Sequence, residues 1–407
     1  MKRITLALFV LFTTTHIVYP QNFYPEKAGN QGIIEQAMNE ISPDSVTYFI
    51  QSLQNMGTRF LIAENRKAVA SWIKEKFHSF GITNVVLDSF QCYTNINYQN
   101  LHYDTTTWQY NVVATLKGSL YPDEISIVCG HHDDVVVAGD PELFAPGADD
   151  NASGTAAVLE SARVIMEIAY QPESTIRFIT FAAEELMYFG DAGSEYYAAK
   201  AADSGHNIKM VVNNDMIAYD DGSWEIGISN VIGSEAATGI ACFIAENYTT
   251  LNLELWPPSY ETGADLQPFL DEGYQGVYLM ESVFNPHYHK ESDLIENCDI
   301  PYCTEVIKIS CGSLLYNDLT VDNKEMAAME KTSVFPNPAC GPLNINNQSA
   351  FSKLITLTDL HGNILHAETL ESRQTIQLNT SGYANGIYLM KVAGNKGTYT
   401  TKISVMN

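Results

Sequence analysis

EISIVCGHHDD, residues 124–134, decides how this chain folds. A short apolar run closes at Gly130, and His131, His132, Asp133 and Asp134 follow at once. A run of that length, rich in Ile and Val and bounded by glycine, reads as a buried strand. GTAAVLESARVIMEIA (154–169) then carries apolar residues at helical spacing, and STIRFITFAA (174–183) returns to a strand pattern. QYNVVATLKG (109–118), NIKMVVNNDM (207–216) and QGVYLM (275–280) are further strand-like runs, and DAGSEYYAAKAA (191–202) is helical. The alternation predicts an α/β fold: a mostly parallel twisted sheet with helices on both faces.

In such sheets ligands bind beyond the carboxyl ends of the strands. His131 and Asp133 follow the first strand, Glu184 and Glu185 the second, and Asp215 the third. Three distant segments are therefore expected at one edge.

Working outward, SPDSVTYFIQSLQNMG (42–57) and NRKAVASWIKEKFHSFG (65–81) read as helices that stop at Gly57 and Gly81. At the start, Lys2 and Arg3 precede an apolar run, the form of a signal peptide over residues 1–21. That implies a secreted or cell-surface protein. The run is shorter than the roughly 20 residues of a membrane span, and no later stretch qualifies. Beyond a helix around Cys303–Leu315, polar residues near 326–333 read as a linker. From 334 to 407 apolar residues alternate in twos between Asn, Gly and Pro turns, which predicts a small all-β sandwich. Residues 22–325 form the larger unit.

A length of 407 residues suits two such units, and 45% hydrophobic against 17% charged residues supports a large core. With 22 basic and 48 acidic residues the net charge is −26, which makes nucleic acid a poor partner. Seven cysteines allow disulfides, Cys298 and Cys303 being the nearest pair, while Cys129 inside EISIVC reads as a core residue.

Part of the acidic excess sits where its spacing suggests metal. In GHHDD, His131 and Asp133 face the same way on an extended backbone, so one binds an ion while the other holds the ring's second nitrogen. PGADDNASG (146–154) sets Asp149 and Asp150 in a turn that leads into a helix, where either capping or cation binding would use an acid. Glu184 and Glu185 repel one another unless a cation lies beside them, which suits one as ligand and one as proton shuttle. Asp215 in NNDM and His287, His289 and Asp293 in NPHYHKESD complete the set, with either histidine chemically suited. Imidazole and carboxylate together are zinc ligands, and a close ion pair acidifies a water.

The order GHHDD, PGADDNASG, FAAEEL, NNDM and YHKESD resembles the co-catalytic di-zinc aminopeptidases, across about residues 40–320. The wider family includes glutaminyl cyclases and transferrin-receptor-like ectodomains. The resemblance implies two Zn2+: His131 and Asp215 on the first, Glu185 and His289 on the second, and Asp149 bridging. It makes Glu184 the general base, with Asp133 orienting His131 and Asp293 doing likewise for His289. The substrates implied are peptides, shortened from the N-terminus. The chain departs from the pattern at TGADLQPF, where Leu266 follows Asp265 and many relatives have His. Tyr260 is the candidate hydroxyl for the scissile carbonyl.

Two other readings compete. Glutaminyl cyclases usually bind one zinc and carry Ser after the bridging Asp, where Asp150 stands here. A non-catalytic binding module would tend to lose ligands that this chain keeps. FPNPACGPLNI, DLHGNIL and GIYLMKV in the C-terminal part resemble the sorting domain read by the type IX export machinery, which implies that machinery as a partner.

Overall fold

A computed structural model describes residues 30–98, 101–185, 192–319, 332–347, 352–359, 362–394 and 397–406. The expected signal peptide and most of the linker lie outside them.

Eight strands build one sheet: β1 (Val85–Tyr98), β2 (Leu101–Leu116), β3 (Tyr121–His131), β4 (Ser174–Phe181), β5 (Asn207–Asn214), β6 (Glu225–Ile228), β7 (Asn252–Leu255) and β8 (Gly276–Glu281). Their order is β1-β2-β4-β3-β5-β8-β6-β7. The four central strands β4, β3, β5 and β8 are parallel, while β1 with β2, β2 with β4 and β6 with β8 pair antiparallel. The parallel heart matches the α/β expectation. The long β1–β2 hairpin does not follow from strand and helix alternation, because hairpins need no crossover.

Helices α1 (Asn30–Glu40), α2 (Pro43–Gln54), α3 (Arg66–Ser79), α4 (Gly154–Glu167), α5 (Gly193–Asp203), α6 (Glu235–Tyr248), α7 (Gln267–Asp271) and α8 (Ile300–Leu319) surround the sheet. Ile125, Ile127 and Cys129 of β3 face α5 and α7, whereas Val128 joins the larger core with α1 to α4, α6 and α8. Both faces of the strand are thus covered, which is why EISIVC is apolar almost throughout.

The C-terminal part holds two antiparallel sheets around their own core, which includes Leu343, Ile355, Met390 and Ile403. One has β9 (Thr332–Phe335), β10 (Pro342–Asn347) and β13 (Thr375–Asn379); the other has β11 (Lys353–Thr358), β12 (Ile364–Leu370), β14 (Gly386–Gly394) and β15 (Gly397–Val405). No helix among the described residues is long and apolar enough to cross a membrane.

Candidate metal centre

Four parallel strands end at one edge, and each delivers a polar residue there. β3 closes on His131, β4 runs into Glu184 and Glu185, β5 into Asp215, and the loop after β8 carries His289. Ala183, Met216 and His289 all adopt left-handed φ, at 62°, 52° and 54°. Each such non-glycine residue costs of order 1–3 kcal/mol and persists only where its surroundings demand it. The backbone is bent so that consecutive acids point into the cleft.

The turn Ala148–Ser153 supplies the central group. His131 Nε2 lies 3.3 Å from Asp150 Oδ1 and 3.3 Å from Asp215 Oδ1. His289 Nε2 lies 3.4 Å from Asp150 Oδ2 and 2.7 Å from Glu185 Oε2. The two oxygens of Asp150 therefore face two different imidazoles. Two donor sets result, His131 with Asp150 and Asp215, and Asp150 with Glu185 and His289, each close enough to share one ion.

The geometry corrects the expectation for Asp149. Its carboxylate points away from the cleft, accepting from the Ala218 amide at 2.7 Å and from Asn285 Nδ2 at 2.7 Å. Asp150 takes the central place because the turn is not helical there, with φ −106° and ψ 95°, and neighbouring side chains diverge. The residue after Asp150 is Asn151, again not the serine of glutaminyl cyclases. Asp293 also differs from expectation: its carboxylate accepts the amides of Asp149 and Asp150, both at 3.0 Å, and so fixes the turn rather than the His289 ring.

Asp133 spans two jobs. Its oxygens accept the amides of Glu184 and Glu185 at 3.1 and 3.2 Å, and Oδ1 stands 3.6 Å from His131 Nδ1, whose hydrogen bond goes to the Asp133 carbonyl. Of the two candidate histidines His289 joins the cluster, whereas His287 Nδ1 pairs with Ser292 Oγ. Tyr260 is 71% exposed. Tyr278 and Tyr288, with Met216, Met280 and Phe284, form the apolar wall of the cleft that the acids share. The seven cysteines include no bonded pair, and Cys129 is buried in the core.

So many buried acids strain one another. Burial, then neighbouring charges such as Asp150, pushes Glu185 up to about 8. Burial likewise holds Glu184 well above the usual carboxylate range, partly offset by His131. For His289 burial acts downward, but Glu185 and Asp150 outweigh it and raise the ring to about 11. Meanwhile Glu185 Oε1 has no hydrogen-bond partner, and His289 Nε2 makes no well-formed hydrogen bond despite its short approach to Glu185. A buried carboxylate oxygen left without a partner, beside imidazoles and further carboxylates, is what a cation would satisfy. The residues fit zinc: imidazole nitrogens and carboxylate oxygens in tight groups.

Glu281, at the end of β8, escaped the reading of the sequence. It accepts the amides of Tyr219 and Asn285, and burial followed by the Asp149 charge raises it to about 12. An isolated Glu after an apolar strand gives no signal of such a neighbour.

Together the parallel sheet and the paired imidazole and carboxylate groups at its edge define an α/β metallohydrolase. Residues 111–312 match the model of peptidase family M28, and over that stretch the chain belongs to this family. Residues 333–406 match the secretion system C-terminal sorting domain. Leucine aminopeptidase 1 of Trichophyton equinum is 24% identical over 317 residues, covering 74% of this chain and 80% of its own. The structure of BSAP, a zinc aminopeptidase from Bacillus subtilis, is similar at a TM-score of 0.55 and 15% identity, covering 70% of this chain and 96% of that one. The glutaminyl cyclase of Fimbriiglobus ruber is similar at 0.56 and 16%, covering 68% and 95%. An aminopeptidase and a cyclase thus share this fold, and the choice between them falls to the site.

Proposed function

We propose that this protein is an exported zinc-dependent aminopeptidase that removes residues from the N-terminus of peptides. The observation that carries the reading is Asp150, whose two oxygens face His131 on one side and His289 on the other. In this reading His131, Asp215 and Asp150 would hold one Zn2+, and Glu185, His289 and Asp150 a second. Bound there, the ions would acidify a water and polarise the scissile carbonyl.

The chain's own residues do the rest. Glu184 is buried beside the first donor set, its Oε2 3.7 Å from His131 Nε2. It takes the proton of the attacking water and passes it to the leaving amine, a role that suits a carboxylate whose proton affinity is raised by burial. Asp133 is a positioning residue, holding the Glu184–Glu185 backbone and facing the His131 ring. Met216, Tyr278, Met280 and Phe284 offer an apolar surface to the side chain of the residue being removed, consistent with the leucine aminopeptidase named among the relatives. The C-terminal domain supports export by the type IX machinery, with residues 1–21 as the signal peptide.

Metal content and turnover test this together. Two zinc ions per chain with hydrolysis of leucine p-nitroanilide is the expected result. Cyclisation of N-terminal glutamine with one zinc would replace the reading by a cyclase, and a metal-free, inert chain by a binding module.

A further inference from the structure

Arg59 lies outside every motif, between α2 and α3, yet it is among the largest fully buried side chains of the molecule. Its guanidinium donates from Nε to the His132 carbonyl at 2.8 Å, from Nη1 to the Pro146 carbonyl at 3.0 Å and from Nη2 to the Gly147 carbonyl at 2.7 Å. Nη1 also stands 3.0 Å from Asp134 Oδ2, and the Arg59 amide donates to Asp134 Oδ1 at 2.8 Å. One side chain thus joins the end of β3, which carries His131 and Asp133, to the turn that carries Asp150. Three buried carbonyls converging on one point need donors, and only arginine brings a planar fork with enough of them.

The fit is close on every side. A Cβ at Gly147 would meet Arg59 Nη2 at 2.7 Å and Asp134 Cβ at 2.6 Å, and φ there is +44°. The segment holding Arg59 is itself tied to the same loops, since the Ala145 amide donates to Gly57 and Thr58 Oγ1 to Pro141. Shifting the guanidinium would change the distance between His131 and Asp150 without touching either.

We propose that Arg59 is a positioning residue that sets the spacing of His131 and Asp150, and hence the zinc affinity of the site. The proposal rests on the metal-centre reading above. Arg59→Lys keeps a positive charge beside Asp134 but replaces the fork by one compact ammonium. Titration of the full chain with zinc against a chromogenic chelator should show affinity reduced about 10–100-fold, the range for lost outer partners of metal ligands. At saturating zinc kcat should fall while KM stays near wild type, because the apolar wall of the cleft is untouched.

A folded Arg59→Lys chain with zinc affinity and kcat within about twofold of wild type would overturn the proposal while leaving the function intact. A wild-type chain that binds no zinc removes both. Should Arg59→Lys fail to fold, Asp134→Asn decides: it leaves all three carbonyl bonds in place, so zinc affinity should hold within about twofold. A tenfold loss there would assign the effect to the charge pair instead of the fork, and the proposal falls.

Discussion

Two adjacent aspartates, Asp149 and Asp150, have different fates. Asp150→Asn removes charge from the one carboxylate that both donor sets share, so both zinc ions should be lost or greatly weakened. Asp149→Asn should keep both ions and lower stability by about 1–3 kcal/mol, the cost of disturbing a buried hydrogen-bonded acceptor. Zinc content and chemical denaturation of the two variants check this; the reverse pattern would return the bridge to Asp149. Glu184→Gln is isosteric and leaves every proposed ligand in place. It should bind zinc normally and lose about 100- to 10,000-fold in kcat, the span of general base catalysis. Turnover near wild type would take Glu184 out of the chemistry.

Elements are held together at the same edge that forms the site. The first turn of α4 packs on the end of β5 so closely that a Cβ at Gly154 would meet the Asn214 carbonyl oxygen at 2.2 Å and Asn151 Oδ1 at 2.4 Å. Gly154→Ala must therefore push the helix away from the strand that delivers Asp215. Overpacking of this kind costs typically 1–3 kcal/mol. The variant should unfold earlier in urea and bind zinc less tightly, and a wild-type midpoint with wild-type zinc affinity would refute the close packing. Strands β3, β4, β5 and β8 were legible because each is a short apolar run closed by polar residues. The β1–β2 hairpin was less so: β1 reads VVLDSFQCYTNINY, where alternation is broken by polar residues on both faces. Its pairing with Leu101–Leu116 is decided across strands.

At the scale of the whole molecule, the metal-free protein carries protons that the unfolded chain would release. Glu185 is raised from 4.5 to about 8, Asp265 from 3.8 to about 7, and His289 from 6.5 to about 11. A group raised in this way contributes stability that is complete below its unfolded value and lost as pH climbs through its folded value. Metal-free protein should therefore lose stability as pH rises from about 4 to about 11, Asp265 and Glu185 acting over the lower part of that span and His289 over the upper. Zinc requires Glu185 and His289 deprotonated, so it binds better as pH rises over their part of that span. The difference in Tm between zinc-loaded and chelator-treated protein should widen with pH, and a constant difference would contradict the assignment of Glu185 and His289 to one ion. The surplus of acids, −26 in all, is compatible with this: part of it is gathered where a cation would offset it.

The sequence by itself determined the residue types and the edge at which they meet. Apolar runs must be buried, buried parallel strands need helical crossovers, and the polar residues after each run then share one end of the sheet. His131, Glu184, Glu185, Asp215 and His289 could be selected on that ground together with the family resemblance. Only the tertiary structure decided which aspartate of the pair faces the cleft, that Asp293 holds the turn, and that Arg59 and Glu281 stand behind the site. Side-chain direction in a strand follows a period of two, but in an irregular turn it is set by hydrogen bonds from far along the chain. Those partners, Ala218, Asn285 and Asp293, become neighbours only once the chain has folded.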